Sequence, residues 1–273
     1  MSARAQSQTF LHWLLITPFL LLLGSPGILA QQPFVTDDAD VTQKHHFHFE
    51  FSNEFDVLQR SALPTLRQNT AVFEVDYGLL NGLEVGIETP WLSLFNSRDT
   101  TPLRLSGIGD TNLSLKYNFL TAEENSHRPA MALALNLEFP TGNAERQLGS
   151  GLKDFYMNGI LQKSVTKRTK LRLNGGILFS GNQTTGEIGI KTRGTVFSGG
   201  ASVVKQFTPR LDLGFEVTGA VTRDFQLGKG QLQTLIGGNY TLNDHLTFDF
   251  GAVAGKYAAS PRGGIQLGIS ADW

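Results

Sequence analysis

Cysteine is absent from the 273-residue chain. Its absence excludes a disulfide framework, thiolate metal sites, a cysteine nucleophile and a lipid-anchored amino terminus. An excess of charge of either sign is missing too, with 23 Lys+Arg against 24 Asp+Glu, which argues against nucleic acid as a partner. Charged residues of all kinds make up only 17%, thin cover for a water-facing surface. Beyond the first thirty residues no apolar run reaches the ~20 residues that a spanning helix needs. A mature chain in a membrane must therefore cross it as strands. Glycine and phenylalanine, by contrast, are plentiful, at 30 and 19 residues. Together they suggest β-structure with many turns and aromatic girdles.

Residues 1–30 have the composition of a secretory signal peptide. Arg4 supplies a positive start, and Phe10 to Leu23 form an apolar core interrupted by His12, Thr17 and Pro18. Gly24, Pro26 and Gly27 follow, then Ala30 before Gln31 and Gln32, so cleavage is expected after Ala30. Residues 31–44 are expected to be a short periplasmic segment. Asp37, Asp38 and Asp40 lie in it, but they lack the glycine and terminal glutamate of an EF-hand loop, and a solvated tail is the expectation. About fourteen residues before the first strand are too few for the plug domain of an active transporter.

From about residue 45 to 273 apolar and polar residues alternate with period two. Phe47, Phe49, Phe51 and Phe55 oppose His46, His48, Glu50, Ser52 and Glu54; Leu113, Leu115, Tyr117 and Phe119 oppose Asn112, Ser114, Lys116 and Asn118. Residues 154–164 are ambiguous, because Ile160 and Leu161 point to opposite faces. About twelve such segments follow one another, the even number expected of a single-chain bacterial barrel. Connections expected at 56–69, 92–106, 141–153 and 181–194 are long, while those at 79–82, 165–169, 207–210 and 243–245 are short. Short periplasmic turns and longer outer loops put both termini in the periplasm. About twelve strands enclose a lumen too wide for one row of apolar side chains to fill, so the apolar faces are assigned to lipid. The expected fold is all-β, a transmembrane antiparallel up-and-down β-barrel of about 12 strands over residues 45–273, in a bacterial outer membrane.

On this register the lumen-lining candidates are Glu50, Glu74, Asp76, Glu84, Glu88, Lys116, Glu138, Arg172, Asp212, Glu216 and Asp249. The carboxylates suggest a negative lumen that favours cations or neutral solutes over anions, unless they pair with basic loop residues or sit hydrated at the rims. Ile265, Leu267, Ile269, Ala271 and the final Trp273 resemble the signal read by the barrel assembly machinery. Outer-membrane lipid and lipopolysaccharide are the other expected partners.

No catalytic constellation is found. A lipid hydrolase needs a serine beside a histidine on a lipid-facing strand, with a third residue orienting the histidine. None of His12, His45, His46, His48, His127 and His245 stands two residues from such a serine. His46 and His48 share a strand face, but without a clear third ligand polar lining is the better reading. No enzyme activity, cofactor or metal is expected.

Three stretches carry a family resemblance: Pro33-Phe34-Val35-Thr36-Asp37-Asp38-Ala39, Gly107-Ile108-Gly109-Asp110-Thr111-Asn112-Leu113-Ser114-Leu115-Lys116-Tyr117, and Leu137-Glu138-Phe139-Pro140-Thr141-Gly142-Asn143. With them the chain resembles the "putative MetA-pathway of phenol degradation" family of transporter-like outer-membrane barrels. The resemblance implies passage of small compounds, aromatic ones among them, across the outer membrane and brings no catalytic motif. In physical terms Pro140 stops a strand, and Gly107 and Gly109 suit a bulge or close backbone contact. The expected function is a passive channel for small solutes. The alternatives are a non-conducting structural or adhesion barrel acting through its outer loops and, least favoured, a lipid-modifying enzyme.

Overall fold

A computed structural model describes residues 32–122, 128–179, 195–222, 230–257 and 259–273. The expected signal peptide, His127 and the expected outer loop 181–194 lie outside the described residues. Thirteen strands run in chain order: β1 Phe47–Val57, β2 Thr65–Leu80, β3 Leu83–Asn96, β4 Arg104–Ile108, β5 Thr111–Leu120, β6 Ala130–Phe139, β7 Asp154–Thr166, β8 Thr169–Phe179, β9 Thr195–Thr208, β10 Leu211–Thr222, β11 Gln231–Asn243, β12 Leu246–Lys256 and β13 Gly263–Asp272. Each pairs antiparallel with its neighbours, and β1 pairs with both β2 and β13. β4 and β5 share one position in the ring, since both pair with β3, β5 along its first half and β4 along its second. The result is a closed barrel of 12 strands, with β4 paired along one side, to β3.

The ring closes where the two ends of the barrel domain meet. The Phe47 amide donates to the Trp273 carbonyl at 2.8 Å, and the Trp273 amide donates back to Phe47 at 3.0 Å. Their rings stack with centroids 6.0 Å apart. We call this the inner end. Tight turns at 81–82, 167–168, 209–210 and 244–245 lie at the same end.

Alternation sets the two faces. Phe73, Ile87, Leu113, Phe215, Ile236 and Leu267 are exposed, while their neighbours His48, Glu216, Asp249 and Ser270 are buried. An apolar belt of this extent is stable only against lipid, because leaving it in water costs about 25 cal/mol per Å². Apolar residues therefore face outward and polar residues inward, as the alternation predicts.

Two boundaries differ from expectation. β2 and β3 pair as far as Thr65 and Asn96, so the connections shrink to 58–64 and 97–103, with β4 in what was read as loop 92–106. The alternation is hidden there because Leu92 and Leu94 point inward, where they pack on Leu148 and Leu105. The break between β4 and β5 falls at Gly109–Asp110, opposite Pro90. The Gly109 amide donates to the Pro90 carbonyl at 2.8 Å, and a side chain at Gly109 would collide with Leu92.

Candidate functional site

The segment 32–44 is not a solvated tail. It runs inside the barrel, because the interior supplies a partner for nearly every group it carries. Pro33 and Phe34 need contact with apolar surface and close backbone, and β9 to β12 provide both. Phe34 packs with Val204 and Leu235. A Cβ at Gly214 would lie 2.6 Å from the Phe34 ring, and one at Gly237 2.6 Å from Pro33. Those two inward positions must be bare for the segment to lie flat. Ala39 is fully buried against Ala130, Ala132, Ala134 and Ile160. Ile160 therefore points inward, which explains why β7 reads ambiguously.

The three aspartates are equally engaged. Asp37 accepts from Lys116 Nζ at 2.8 Å, and Asp38 accepts from Arg172 at 3.0 Å with Lys116 3.6 Å away. Asp40 takes a hydrogen bond from Gln162 at 3.0 Å and lies 3.6 Å from Lys170. Burial by itself would push the Asp38 carboxyl up; Arg172, Lys116 and Lys170 outweigh it and hold the group below its ordinary 3.8. Backbone groups are satisfied as well. Glu216 accepts from the Val35 and Thr36 amides at 3.1 and 2.5 Å and from the Thr36 hydroxyl at 2.6 Å. Glu84 accepts from the Thr42 amide at 2.5 Å, and Asn118 donates to the Ala39 carbonyl. At the far end Gln32 meets Gln266 and Asn239.

The lumen-lining candidates thus divide. Lys116, Arg172, Glu84 and Glu216 hold the segment. Asp249 lies behind them: it accepts from Asn239 at 2.6 Å and from Ser270 at 3.3 Å, and Asn239 in turn donates to the Gln32 carbonyl. Asp76 is buried beside Gly86, and Asp212 is half-buried near the inner end of β10. Glu50, Glu74, Glu88 and Glu138 stand elsewhere, in one cross-strand row. Glu50 pairs with Glu74, Glu74 with Glu88, Glu88 with Asn112, and Asn112 with Glu138. Glu74, Glu88 and Glu138 are half-buried, so solvent reaches them inside the barrel.

At the outer mouth the second and third of the motif stretches meet. Asp110 accepts from the Gly142 amide at 2.9 Å and from the Ser150 amide at 2.5 Å. The Thr141 hydroxyl donates to the Gly109 carbonyl at 2.8 Å. These bonds fold 140–153 inward until Leu148 covers Leu92 and Leu94. Sequence reading gave Asp110 no role. Its one signal was adjacency to a strand-breaking glycine.

The histidines separate. His45 is exposed beside the Tyr77 hydroxyl, and His46 reaches the Lys44 carbonyl. His48 is buried, with Nδ1 2.7 Å from Asp272 and Nε2 3.6 Å from Glu50. Among the described residues no three acidic or histidine side chains converge on a common metal position. Ile265, Leu267 and Trp273 are exposed on the outer face of the last strand.

The family model described as "Putative MetA-pathway of phenol degradation" matches residues 33–255. No curated protein matches. Among solved structures the chain is similar to the COG4313 outer membrane channel from Pseudomonas putida F1, at 14% identity and a TM-score of 0.64, covering 89% of this chain and 99% of that one. The NanC porin is similar at 11% identity and 0.54, and the KdgM porin at 11% and 0.51; each comparison covers 82% of this chain and 98% of the porin. At such identities the likeness is one of fold, and the fold is that of outer-membrane channels and porins.

Proposed function

The chain belongs to the "Putative MetA-pathway of phenol degradation" family, and from that membership and the interior geometry we propose that it is a passive outer-membrane channel for small solutes. One observation carries the reading. A closed barrel presents apolar residues outward, while the polar side chains Glu74, Glu88, Asn112 and Glu138 inside it remain partly accessible to solvent. Carboxylates that keep contact with solvent inside the barrel line a hydrated interior and set a negative potential along it, which suits a passage better than a packed core. The family description points to phenol-related compounds as solutes to test first.

Residues 32–44 form the constriction through which a solute passes at the inner end. The expected partners are outer-membrane lipid and lipopolysaccharide around the apolar belt. The assembly machinery is expected to read the outward row ending at Trp273. Transport rather than catalysis is the reading for the interior, where the ring nitrogens of buried His48 face Asp272 and Glu50 and not a serine.

The test is reconstitution of the purified full-length protein in planar bilayers. Discrete conductance steps are expected, and liposome swelling with uncharged solutes of increasing size should give a cut-off. A second reading, a non-conducting barrel that acts through its outer loops, draws on the inward fold of both 32–44 and 140–153. Folded protein that inserts and gives no steps would establish that second reading.

A further inference from the structure

The outward face of β1 to β4 changes character toward the outer mouth. Phe73, Ile87, Trp91 and Ile108 are exposed on it and continue the apolar belt. Above them, on the same face by period-two alternation, come Asn53, Asn69, Arg67, Ser93, Ser106 and Arg104. Among the described residues no outward position of these four strands holds a carboxylate. Polar groups on a lipid-facing wall are costly unless the lipid at that depth is polar too. The depth is that of a headgroup. Tyr77 packs on Phe47 at the inner end, with ring centroids 4.7 Å apart, and Arg67 lies ten residues further out along β2. A strand needs about 9–11 residues to cross the hydrocarbon, so Arg67 stands at the outer interface.

The two arginines are placed as a pair. Arg67 lies opposite Phe95 on β3, and Phe95 lies opposite Arg104 on β4. Two strand spacings set their Cα atoms about 10 Å apart, with an aromatic ring between them. The Arg104 guanidinium sits 5.3 Å over that ring. Its Nε donates to the Ser106 hydroxyl at 3.0 Å, and a terminal nitrogen donates to the Ser93 hydroxyl at 3.2 Å. Both serines lie nearer the apolar belt, so the guanidinium is drawn back toward the membrane and not out into water. Its fork has further N–H donors to offer. Both arginines are exposed, and among the described residues no carboxylate forms an ion pair with either. Next to them Phe55 approaches Phe95 to 6.3 Å across β2.

We propose that this patch binds lipopolysaccharide, with Arg67 and Arg104 taking the phosphates of its lipid A headgroup. Guanidinium forks match phosphate oxygens, and Phe95 between them offers a flat apolar face to a sugar ring. The acyl chains then continue down over Trp91, Ile108 and Phe73. A glycerophospholipid brings one phosphate and no sugar, and it leaves one of the arginines unanswered. The proposal rests on the outer-membrane part of the reading above, for which it gives the lipopolysaccharide a place, and it does not depend on conduction.

The experiment is native mass spectrometry of the purified full-length protein in detergent, titrated with bisphosphorylated lipid A, monophosphorylated lipid A and phosphatidylglycerol. Wild type is expected to bind bisphosphorylated lipid A about tenfold more tightly than phosphatidylglycerol, with the monophosphorylated form between them. Arg67→Gln/Arg104→Gln should lose about tenfold or more in affinity for lipid A and stay within about twofold for phosphatidylglycerol. Lys163 and Lys205 are outward cations at the inner end, paired with Leu171 and Leu213. Removing as much charge there, in Lys163→Gln/Lys205→Gln, should leave lipid A binding unchanged. Heat-modified migration on gels checks that each variant is folded. Equal wild-type affinity for lipid A and phosphatidylglycerol, or unchanged lipid A binding in the folded arginine variant, overturns the site. Equal losses in the arginine and lysine variants overturn it as well, since any lipid-facing cation would then serve. Planar-bilayer steps are read on the same preparations: their absence from wild type would overturn the channel and leave the lipid site standing.

Discussion

The belt of interior wall covered by residues 32–44 and the open row from Glu50 to Glu138 both carry acidic residues, all facing inward. Their surroundings differ completely. Covered carboxylates are answered: Glu216 by two amides and a hydroxyl, Glu84 by the Thr42 amide, Asp249 by Asn239 and Ser270. In the open row the neighbours of Glu74 are Glu50 and Glu88. Inward acids thus do two jobs in one barrel. Where the segment or the wall supplies close donors they are structural, and where hydrogen bonds are few and other carboxylates adjoin they set the potential that a solute meets.

The comparison is broken most directly by taking the cover away. Removal of residues 32–43 is expected to raise single-channel conductance about two- to fivefold, because the lumen of a 12-stranded barrel is otherwise wide enough for water. If the truncated, folded protein shows wild-type conductance, the segment is no constriction.

Next in size is Arg172→Leu. The guanidinium is buried and binds Asp38 at 3.0 Å, and removing one partner of a buried pair costs about 3–5 kcal/mol. Asp38 would retain Lys116 at 3.6 Å. We expect conductance that flickers between the wild-type level and that of the truncated protein. Steady wild-type steps would place the anchor elsewhere in the segment.

How much of this was legible in the chain itself depends on which side of each strand is asked about. The outward face was readable throughout, since lipid imposes one rule on Phe73, Ile87, Leu113 and Leu267 alike, and period-two alternation follows. The inward face obeys whatever fills the lumen, and that is not local. Ile160 spoils the pattern of β7 because Ala39 packs on it; Leu92 and Leu94 extend β3 because Leu148 lies over them. Lys116 and Arg172 were recognisable as rare inward cations. Their partners Asp37 and Asp38 lie 79 and 134 residues away, in a segment whose three aspartates suggest solvation. The available hint was steric: inward glycines recur on adjacent strands at Gly200, Gly214, Gly237 and Gly251, each where a Cβ would crowd Thr36, Phe34 or Pro33.

The outer mouth provides a third, smaller contrast. Asp110→Ala removes the carboxylate that accepts from Gly142 and Ser150. Hydrogen bonds to a charged group contribute about 1.5–3 kcal/mol each, so 140–153 should be released from the barrel wall. Faster cleavage by added protease in this stretch is the expected result. Protection equal to wild type would mean that the Leu148 packing alone holds the loop.

The smallest effect sharpens the comparison most, because it makes the same chemical change on both sides. Glu216→Gln and Glu88→Gln each replace a carboxylate by an amide of nearly equal volume. At Glu216 the Oε2 atom accepts from the Thr36 amide and hydroxyl, and Oε1 from the Val35 amide. Glutamine keeps one acceptor oxygen and turns an NH₂ toward a donor, at a cost of about 1–3 kcal/mol to docking. At Glu88 the one hydrogen bond seen is from Asn112 at 3.5 Å, so little docking or stability is at stake. Glu216→Gln should therefore make the conductance noisier without moving the reversal potential, and Glu88→Gln should move the reversal potential without added noise. If both variants shift selectivity equally, the interior acts as one averaged negative surface, and the division between covered and open acids has no functional meaning.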